Sequence, residues 1–156
     1  MTVTGDTHSG GCQCGAVRFR VTKLGRGSLC YCRMCQKATA GLGGFYVTAK
    51  EFEWTRGAPK YFASSNVARR GFCADCGTPL TFESDHAVDL SIVAFDRTAD
   101  IAPMIHLAAE ARIPWGDHLH ALPPRPETDV AIAERYARVV SFQHPDHDTA
   151  EWKPGQ

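Results

Sequence analysis

The side chains with the clearest chemistry in this sequence are its seven cysteines, which lie in three groups. The groups are Cys12 with Cys14, then Cys30, Cys32 and Cys35, and finally Cys73 with Cys76. A C-x-x-C turn followed by glycine, as at Gly77, aims two thiolates at one ion, because glycine tolerates a left-handed backbone there. In C-x-C, two residues of an extended strand point to the same face. Both spacings are typical of metal ligation.

Tetrahedral zinc takes four ligands, with sulfur at about 2.3 Å, so two cysteine pairs can close one site. We expect Cys12 and Cys14 to form such a structural site with Cys73 and Cys76. The middle group then has three thiolates and an open position, as in catalytic zinc sites, unless a histidine or carboxylate closes it. All-sulfur ligation favours zinc, with an iron–sulfur cluster as the lesser alternative. Reduced or buried free cysteines would explain one pair as well as a metal does, but not three groups.

The composition is that of one globular domain from a reducing compartment. The chain has 156 residues, 44% apolar and 22% charged, and seventeen basic residues balance seventeen acidic ones. With no net charge and no basic stripe, we expect neither nucleic acid nor a membrane as a partner. There is no apolar run of about 18 residues and no recognisable signal peptide. We therefore expect a cytoplasmic protein with reduced cysteines. The sequence predicts no oligomeric state.

Short alternating segments predict a mostly β protein. Between residues 15 and 22, apolar and polar side chains alternate, which predicts a half-buried strand with Phe19 and Val21 on one face and Arg18 on the other. Further strands are predicted at 44–49, 51–55, 60–63, 67–72, 80–83, 87–94 and 104–109. Glycine, proline and polar residues separate these segments, and such spacing indicates antiparallel sheet.

The C-terminal part has a different pattern. After the prolines at 123–126, Thr128 is the predicted N-cap of a helix in which Ile132, Tyr136 and Val139 or Val140 recur at helical spacing. From residue 144 onward the chain is polar and interrupted by proline, which predicts a loosely held tail. We expect one domain at residues 8–126, followed by a helix and polar tail at 127–156.

At its cysteine motifs the sequence resembles the glutathione-dependent formaldehyde-activating enzyme family, whose domain also occurs in a vertebrate centromere protein. The resemblance rests on GGCQCGAV at 10–17, CYCRMC at 30–35, GFCADCG at 71–77 and ARIPW at 111–115, and it covers residues 8–126. It implies a tent of short antiparallel sheets, a fold also seen in a small zinc-binding exchange factor for Rab GTPases.

The resemblance further implies roles for the cysteines and a reaction. The two outer pairs match the family's structural zinc ligands, and the middle group matches the ligands of its catalytic zinc, which makes two zinc ions per chain. The namesake reaction condenses formaldehyde with glutathione to S-hydroxymethylglutathione, a carbon–sulfur lyase reaction in reverse. The expected partners are therefore a small thiol such as glutathione and a small aldehyde.

One residue departs from the family pattern. The family commonly has histidine between the first two cysteines of the middle motif, where this chain has Tyr31. If that histidine transfers protons, a phenol does so less readily at neutral pH than an imidazole. If it only packs beside the site, the change has little effect.

Other polar side chains near the cysteine motifs could contribute to the functional site, and each also has an ordinary structural explanation. Arg33, Lys37, Arg69 and Arg70 are candidate contacts for the carboxylates of a glutathione-like thiol, and solvated surface positions are the alternative. His106 is expected to be a core histidine, with an approach to the open site as the alternative. The segment 36–41 either lines the pocket or is a connecting turn. We expect surface positions for His118, His120, His144 and His147.

Three functions compete. A zinc-dependent carbon–sulfur lyase is the main hypothesis, and a non-catalytic zinc-binding recognition module of the same fold is the alternative, as the centromere relative suggests. A redox enzyme related to zinc-containing methionine sulfoxide reductases ranks last, because it needs a reactive cysteine outside the metal sites and all seven are assigned.

Overall fold

The computed structural model describes residues 4–153, and in that range the chain forms eight strands and two α-helices. The strands are β1 (Thr4–Gly11), β2 (Arg18–Cys30), β3 (Gly44–Arg56), β4 (Lys60–Ala63), β5 (Ala68–Phe72), β6 (Pro79–Ser84), β7 (Val88–Ser91) and β8 (Ile105–Leu107). The helices are α1 (Arg33–Thr39) and α2 (Val130–Ala137), and 3₁₀ segments lie at Ile92–Ala94, Thr98–Asp100, Ala109–Ala111 and Pro114–Ala121. The prediction of a mostly β, antiparallel protein is confirmed.

Seven strands form one antiparallel sheet, in the order β1-β2-β3-β7-β6-β5-β4. β8 lies off this path and pairs in parallel with the end of β2, where Leu29 is opposite His106 and Cys30 is opposite Leu107. The end of β2 is therefore held by β3 on one side and by β8 on the other. This pairing fixes the backbone of Cys30.

The core lies along the centre of the sheet. Its fully buried side chains include Phe19 and Val21 of β2, Leu80 of β6 and Leu90 of β7. The ring of Phe19 meets that of Phe95 edge to face, with 5.0 Å between centroids. Burying an apolar side chain of this size stabilises a protein by about 1.5 to 3 kcal/mol, so this cluster provides the main framework for the turns that carry cysteines.

Several predicted strands are present with different ends. The segment at 60–63 coincides with β4, whereas 44–49 and 51–55 form the single strand β3. The segment at 87–94 is a strand only to Ser91 and then turns into a 3₁₀ segment, and 104–109 is a strand only at Ile105–Leu107. The alternation does not predict β1 or the second half of β2, where Gly25 and Gly27 interrupt the apolar pattern.

The C-terminal helix is present but shorter than its apolar pattern. α2 begins at Val130 after Asp129, so the N-cap prediction at Thr128 is wrong by one residue. It ends at Ala137, before Val139. None of its residues is buried, so its apolar side chains contact solvent. Within residues 4–153, no helix has both the length and the apolar character needed to cross a membrane.

The prediction of a loosely held tail after α2 is wrong for residues 144–152, which we call the C-terminal strap. The strap lies against the turn between β1 and β2, where the indole Nε1 of Trp152 donates to the carbonyl oxygen of Cys14 at 2.6 Å. His144 is only 3% exposed, so its predicted surface position is also wrong. The predicted boundary between a domain at residues 8–126 and a C-terminal region at 127–156 stays a proposal. Within that C-terminal region, the strap contacts the domain.

Arg18 is buried where the strap meets β2, although strand alternation places it on the face opposite Phe19. Its guanidinium donates to both carboxylate oxygens of Asp96, at 2.8 and 2.6 Å, and to Asp148 of the strap at 2.7 Å. Burial raises the pKa of Asp96, but the hydrogen bonds from Arg18 and Ser9 outweigh it and hold the pKa below its ordinary value. The buried charge of Arg18 is thus paired, as burial of an ion requires.

Candidate metal centres

Four cysteines from two distant turns converge at one end of the sheet. Cys12 and Cys14 lie in the turn after β1, and Cys73 and Cys76 lie in the turn between β5 and β6. Their four sulfur atoms all lie within 4.8 Å of one another. Gly77 follows the second pair with φ of +77°, the left-handed conformation that the knuckle motif requires.

The spacing of these sulfurs fits a tetrahedral zinc ion. Four sulfurs at about 2.3 Å from zinc would lie about 3.8 Å apart by tetrahedral geometry. The Cys12 and Cys14 sulfurs are 3.6 Å apart, and those of Cys14 and Cys73 are 3.8 Å apart. The donor set and its spacing therefore fit the structural zinc site that the motifs predict.

The hydroxyl of Thr78 connects the two turns. It lies 3.1 Å from the sulfur of Cys76 and accepts a hydrogen bond of 3.0 Å from the backbone N–H of Gln13. Burial raises the pKa of Cys76, but hydrogen bonds from the Thr78 hydroxyl and backbone outweigh it, and the pKa falls to about 6. Burial raises the pKa of Cys14 above its ordinary value. A bound cation would favour the thiolate form at all four positions.

The three remaining cysteines form a second cluster where β2 passes into α1. Cys30 ends β2, Cys32 is the N-cap of α1, and Cys35 lies in the first turn of that helix. Their sulfurs also lie within 4.8 Å of one another. The backbone N–H of Cys35 donates to the sulfur of Cys32 at 3.4 Å, so the helix N-terminus orients this ligand. We call this cluster the Cys30 centre.

Arg70 on β5 is the cation that contacts the Cys30 centre. Its guanidinium donates to the sulfur of Cys35 at 3.4 Å, to the hydroxyl of Tyr46 at 2.8 Å and to the hydroxyl of Ser64 at 2.9 Å. The side chain is 7% exposed and also lies 5.0 Å from the ring centroid of Phe82. Three hydrogen bonds and burial hold this charge in one place.

Arg70 opposes the effect of burial on the neighbouring thiol. Burial raises the pKa of Cys35, Arg70 lowers it, and the balance leaves the pKa at about 12 in the metal-free chain. For Cys32, burial also raises the pKa, but backbone and side-chain hydrogen bonds from Cys35 outweigh it and lower the pKa. The second donor set, three sulfurs beside one guanidinium, fits a zinc ion held by three thiolates.

A groove of about 360 Å³ opens beside this centre. Its walls combine basic and apolar side chains: Arg33, Met34, Lys37, Ala38, Phe62, Ser64 and Arg70. Within residues 4–153, neither Arg33 nor Lys37 forms an ion pair with a carboxylate, and both are exposed on α1, one turn apart. Arg33 donates to the side-chain oxygen of Gln36 at 3.2 Å, so the groove has two cations without a carboxylate partner among the described residues, beside an apolar wall.

The structure brings three of the four predicted basic contacts to this groove, but it places Arg69 elsewhere. Arg69 points to the other face of β5, where it forms an ion pair with Glu83 at 2.8 Å and stacks on Tyr61 at 4.0 Å from the ring centroid. Adjacent residues of a strand alternate between faces, which explains why Arg69 and Arg70 separate.

Tyr31 and His106 lie together near the end of β2. Their ring centroids are 6.3 Å apart, and the backbone N–H of Tyr31 donates to the carbonyl of Leu107 at 3.0 Å. His106 is exposed, so its expected place in the core is wrong. Pairing of β8 with β2 is what brings His106 to this position.

Three residues at the centre have no functional signal in the sequence. Tyr46 and Ser64 hold Arg70, and Gln36 donates from its amide to the carbonyls of Tyr31 and Ala111, at 2.8 and 3.0 Å. The segment 36–41, predicted either to line the pocket or to form a connecting turn, continues α1 as far as Thr39 and places Lys37 and Ala38 in the groove. The buried amide of Gln36 joins α1 to the chain after β8. Only contact between distant segments identifies these residues.

Comparison with known families adds to this geometry. The sequence profile of the glutathione-dependent formaldehyde-activating enzyme matches residues 7–111, well over half of the chain. The matched range contains both cysteine clusters and His106, and excludes α2 and the C-terminal strap. Membership suggests the formaldehyde-activating type of function, and the two clusters are compatible with one zinc ion each. The chain therefore belongs to the glutathione-dependent formaldehyde-activating enzyme family.

Proposed function

We propose that the Cys30 centre and its groove bind a small anionic thiol such as glutathione and promote its addition to formaldehyde, a reaction of the carbon–sulfur lyase type. The observation that carries the proposal is Arg70, which contacts Cys35 and also lines the groove. A ligand that contacts Arg70 in the groove would be separated from the sulfur of Cys35 by this one side chain. Family membership supports the same reaction.

The groove would recognise the thiol by charge and shape. Glutathione carries two carboxylates, and Arg33 and Lys37 offer two exposed cations on one face of α1. Guanidinium groups bind carboxylates through paired hydrogen bonds, whereas an ammonium acts as a point charge. Met34 and Phe62 supply apolar surface, being 55% and 63% exposed. These side chains would direct the thiol sulfur toward the cysteine cluster.

A zinc ion held by three thiolates supplies one open position and the Lewis acidity that favours a thiolate or a polarised carbonyl. The residues of the chain then have separate tasks. Arg70 places positive charge beside Cys35 and keeps its sulfur oriented, and Cys32 is oriented by the first turn of α1. A carbon–sulfur bond forms while the thiol loses a proton and the former carbonyl oxygen gains one. We assign this proton exchange with solvent to His106 and Tyr31.

Calorimetry beside an adduct assay tests the proposal. Glutathione is titrated into zinc-loaded parent, Cys35→Ser and the double variant Arg33→Ala, Lys37→Ala, and S-hydroxymethylglutathione formation is followed by NMR. Exposed charge contacts contribute up to about 1 kcal/mol each, so the loss of both in the double variant should weaken glutathione binding by up to about 30-fold. Lys50→Ala, an exposed lysine on β3, is the matched control and should bind like the parent.

The adduct assay separates the enzyme from the alternative. The parent should form the adduct faster than buffer does, Tyr31→His should raise the rate, and His106→Asn should lower it. Equal glutathione binding by the parent and Cys35→Ser would remove the Cys30 centre from the function. Binding with no gain in rate would mean that the chain is the non-catalytic recognition module instead.

A further inference from the structure

The C-terminal strap contacts the four-cysteine centre through the turn that carries two of its ligands. Three consecutive carbonyls of that turn, those of Gln13, Cys14 and Gly15, each accept a hydrogen bond from the strap or from a residue that the strap holds. The backbone N–H of His144 donates to Gln13 at 2.8 Å, and the indole of Trp152 donates to Cys14 at 2.6 Å. The strap therefore satisfies the outward polar groups of this turn.

Arg56 on β3 makes the third contact. Its guanidinium donates to the carbonyl of Gly15 at 3.1 Å and, on the other side, to the carbonyl and the hydroxyl of Thr149. The Thr149 hydroxyl lies 3.0 Å from Nε2 of His144. Arg56 thus joins the turn to the strap, and a loss of Thr149 would loosen both.

The strap packs so closely on the turn at Gly15 that this position has no room for a side chain. Gly15 has φ of +75°, and a Cβ at this position would lie 2.3 Å from the ring of His144 and 2.5 Å from that of Trp152. The two rings pack edge to face with their centroids 5.0 Å apart. The rings of His144 and Trp152 thus cover Gly15, the residue of the turn that has no side chain.

From this arrangement we infer that the strap is a retaining element for the metal of the four-cysteine centre, and that His144, Thr149 and Trp152 are positioning residues for Cys12 and Cys14. Hydrogen bonds that orient a ligand and its backbone commonly alter metal affinity 10- to 100-fold when they are removed. The strap lies outside the range of the family match, so this device belongs to this chain's own C-terminal region. The Cys30 centre has different supports, namely Arg70, Gln36 and the N-terminus of α1.

The test measures the rate at which each zinc ion is transferred from the protein to a chelator. Trp152→Phe removes the indole donor and keeps an aromatic ring, Thr149→Val removes the hydroxyl and keeps the shape, and truncation after Gln143 removes the strap. Trp115→Phe, a tryptophan that is 60% exposed and outside the strap, is the matched control. Release is followed with a zinc-responsive dye after the total zinc content of each protein has been measured.

Trp152→Phe and the truncated chain should release one zinc about 10 times faster than the parent, while the second zinc leaves at the parental rate. Repeating the experiment in the Cys35→Ser background, which leaves the four-cysteine centre, should show the acceleration in the single remaining phase. Parental rates in both Trp152→Phe and Thr149→Val would overturn the inference. Equal acceleration of both zinc ions would also overturn it, because it would indicate general loosening. If the parent protein binds no zinc, the inference that the strap retains zinc is rejected.

Discussion

The guanidinium of Arg70 and the sulfur of Cys35 are joined by a hydrogen bond of 3.4 Å, although the residues are 35 positions apart in the chain. Hydrogen bonds to Tyr46 and Ser64 leave Arg70 little freedom to turn away. A buried cation next to a thiol cluster favours the thiolate form that metal ligation needs. Arg70 thus lies at the candidate metal centre as well as in the groove.

Substitution of Arg70 by lysine should weaken zinc binding at the Cys30 centre alone. An ammonium cannot make the three separate contacts of the guanidinium, so the charge near Cys35 would be less fixed. We expect about 10-fold weaker binding of one zinc ion in a chelator competition, and unchanged binding of the other. Arg69→Lys, on the opposite face of β5, is the control and should behave like the parent. If both variants bind zinc as the parent does, Arg70 has no role in the centre.

The four-cysteine centre should be a requirement for folding. Cys76→Ser removes one of four thiolates, and zinc contributes about 10 kcal/mol or more to the folding of small zinc domains, comparable to the stability of a whole domain. We expect insoluble protein, or protein without a cooperative thermal transition in near-UV circular dichroism. A sharp transition close to the parental temperature would show that Cys76 is not a structural ligand.

The Cys30 centre should be separable from folding. Cys35→Ser should lower the zinc content from about two ions per chain to about one, while the far-UV circular dichroism spectrum is preserved. The physical reason is that the four-cysteine centre still joins the β1–β2 turn to the β5–β6 turn. Elemental analysis gives the zinc content, and a value that does not change would remove Cys35 from the ligand set.

Docking of the strap should weaken as the solution becomes acidic. Burial lowers the pKa of His144 below its ordinary value of 6.5, and the charge of Arg18 adds to this effect. The hydrogen bond to the Pro145 carbonyl opposes it, Arg56 lowers the pKa further, and Asp96 gives a smaller opposing contribution. Because the undocked strap binds a proton more readily, the docked form loses stability as pH falls below about 6.5. Asp96 has its pKa lowered by Arg18 and Ser9, which lie outside the strap, so its protonation below its ordinary value of 3.8 should weaken folding rather than strap docking.

Hydrogen exchange of the strap amides between pH 7.5 and 5.5, corrected for intrinsic rates, measures this change. The parent should lose protection in the strap across that range, and His144→Gln should lose less, since an amide side chain does not titrate. If the pH dependence of the two proteins is the same, titration of His144 does not control the strap.

The sequence predicts the cysteine groups and most of the strands because those signals are local. Two cysteines separated by one or two residues lie close together whatever the rest of the chain does, and the alternation around Phe19 is readable within eight residues. The second half of β2 is different, because Gly25 and Gly27 break the alternation and pairing with β3 and β8 keeps it extended.

The separate positions of Arg69 and Arg70 illustrate what the sequence leaves open. Strand periodicity requires that the two point to opposite faces, but it does not identify which face carries the cysteine cluster. That choice depends on the packing of β5 against β6 and of Tyr46 against the core. The position of the strap is even harder to predict from the sequence. Its composition is polar, and the partners of Trp152 and Asp148 are more than 120 residues away in the chain.

The hydrogen bond between Trp152 and Cys14 also forms late during synthesis of the chain on the ribosome. The two residues are 138 positions apart, so at about 5 to 20 residues per second a ribosome needs roughly 7 to 28 s to make the second after the first. The second pair of zinc ligands, Cys73 and Cys76, and the strands β2 to β8 are synthesised within that interval. A nascent chain would therefore hold its first metal for many seconds without its cover, and during that time it would compete for zinc on less favourable terms than the finished molecule.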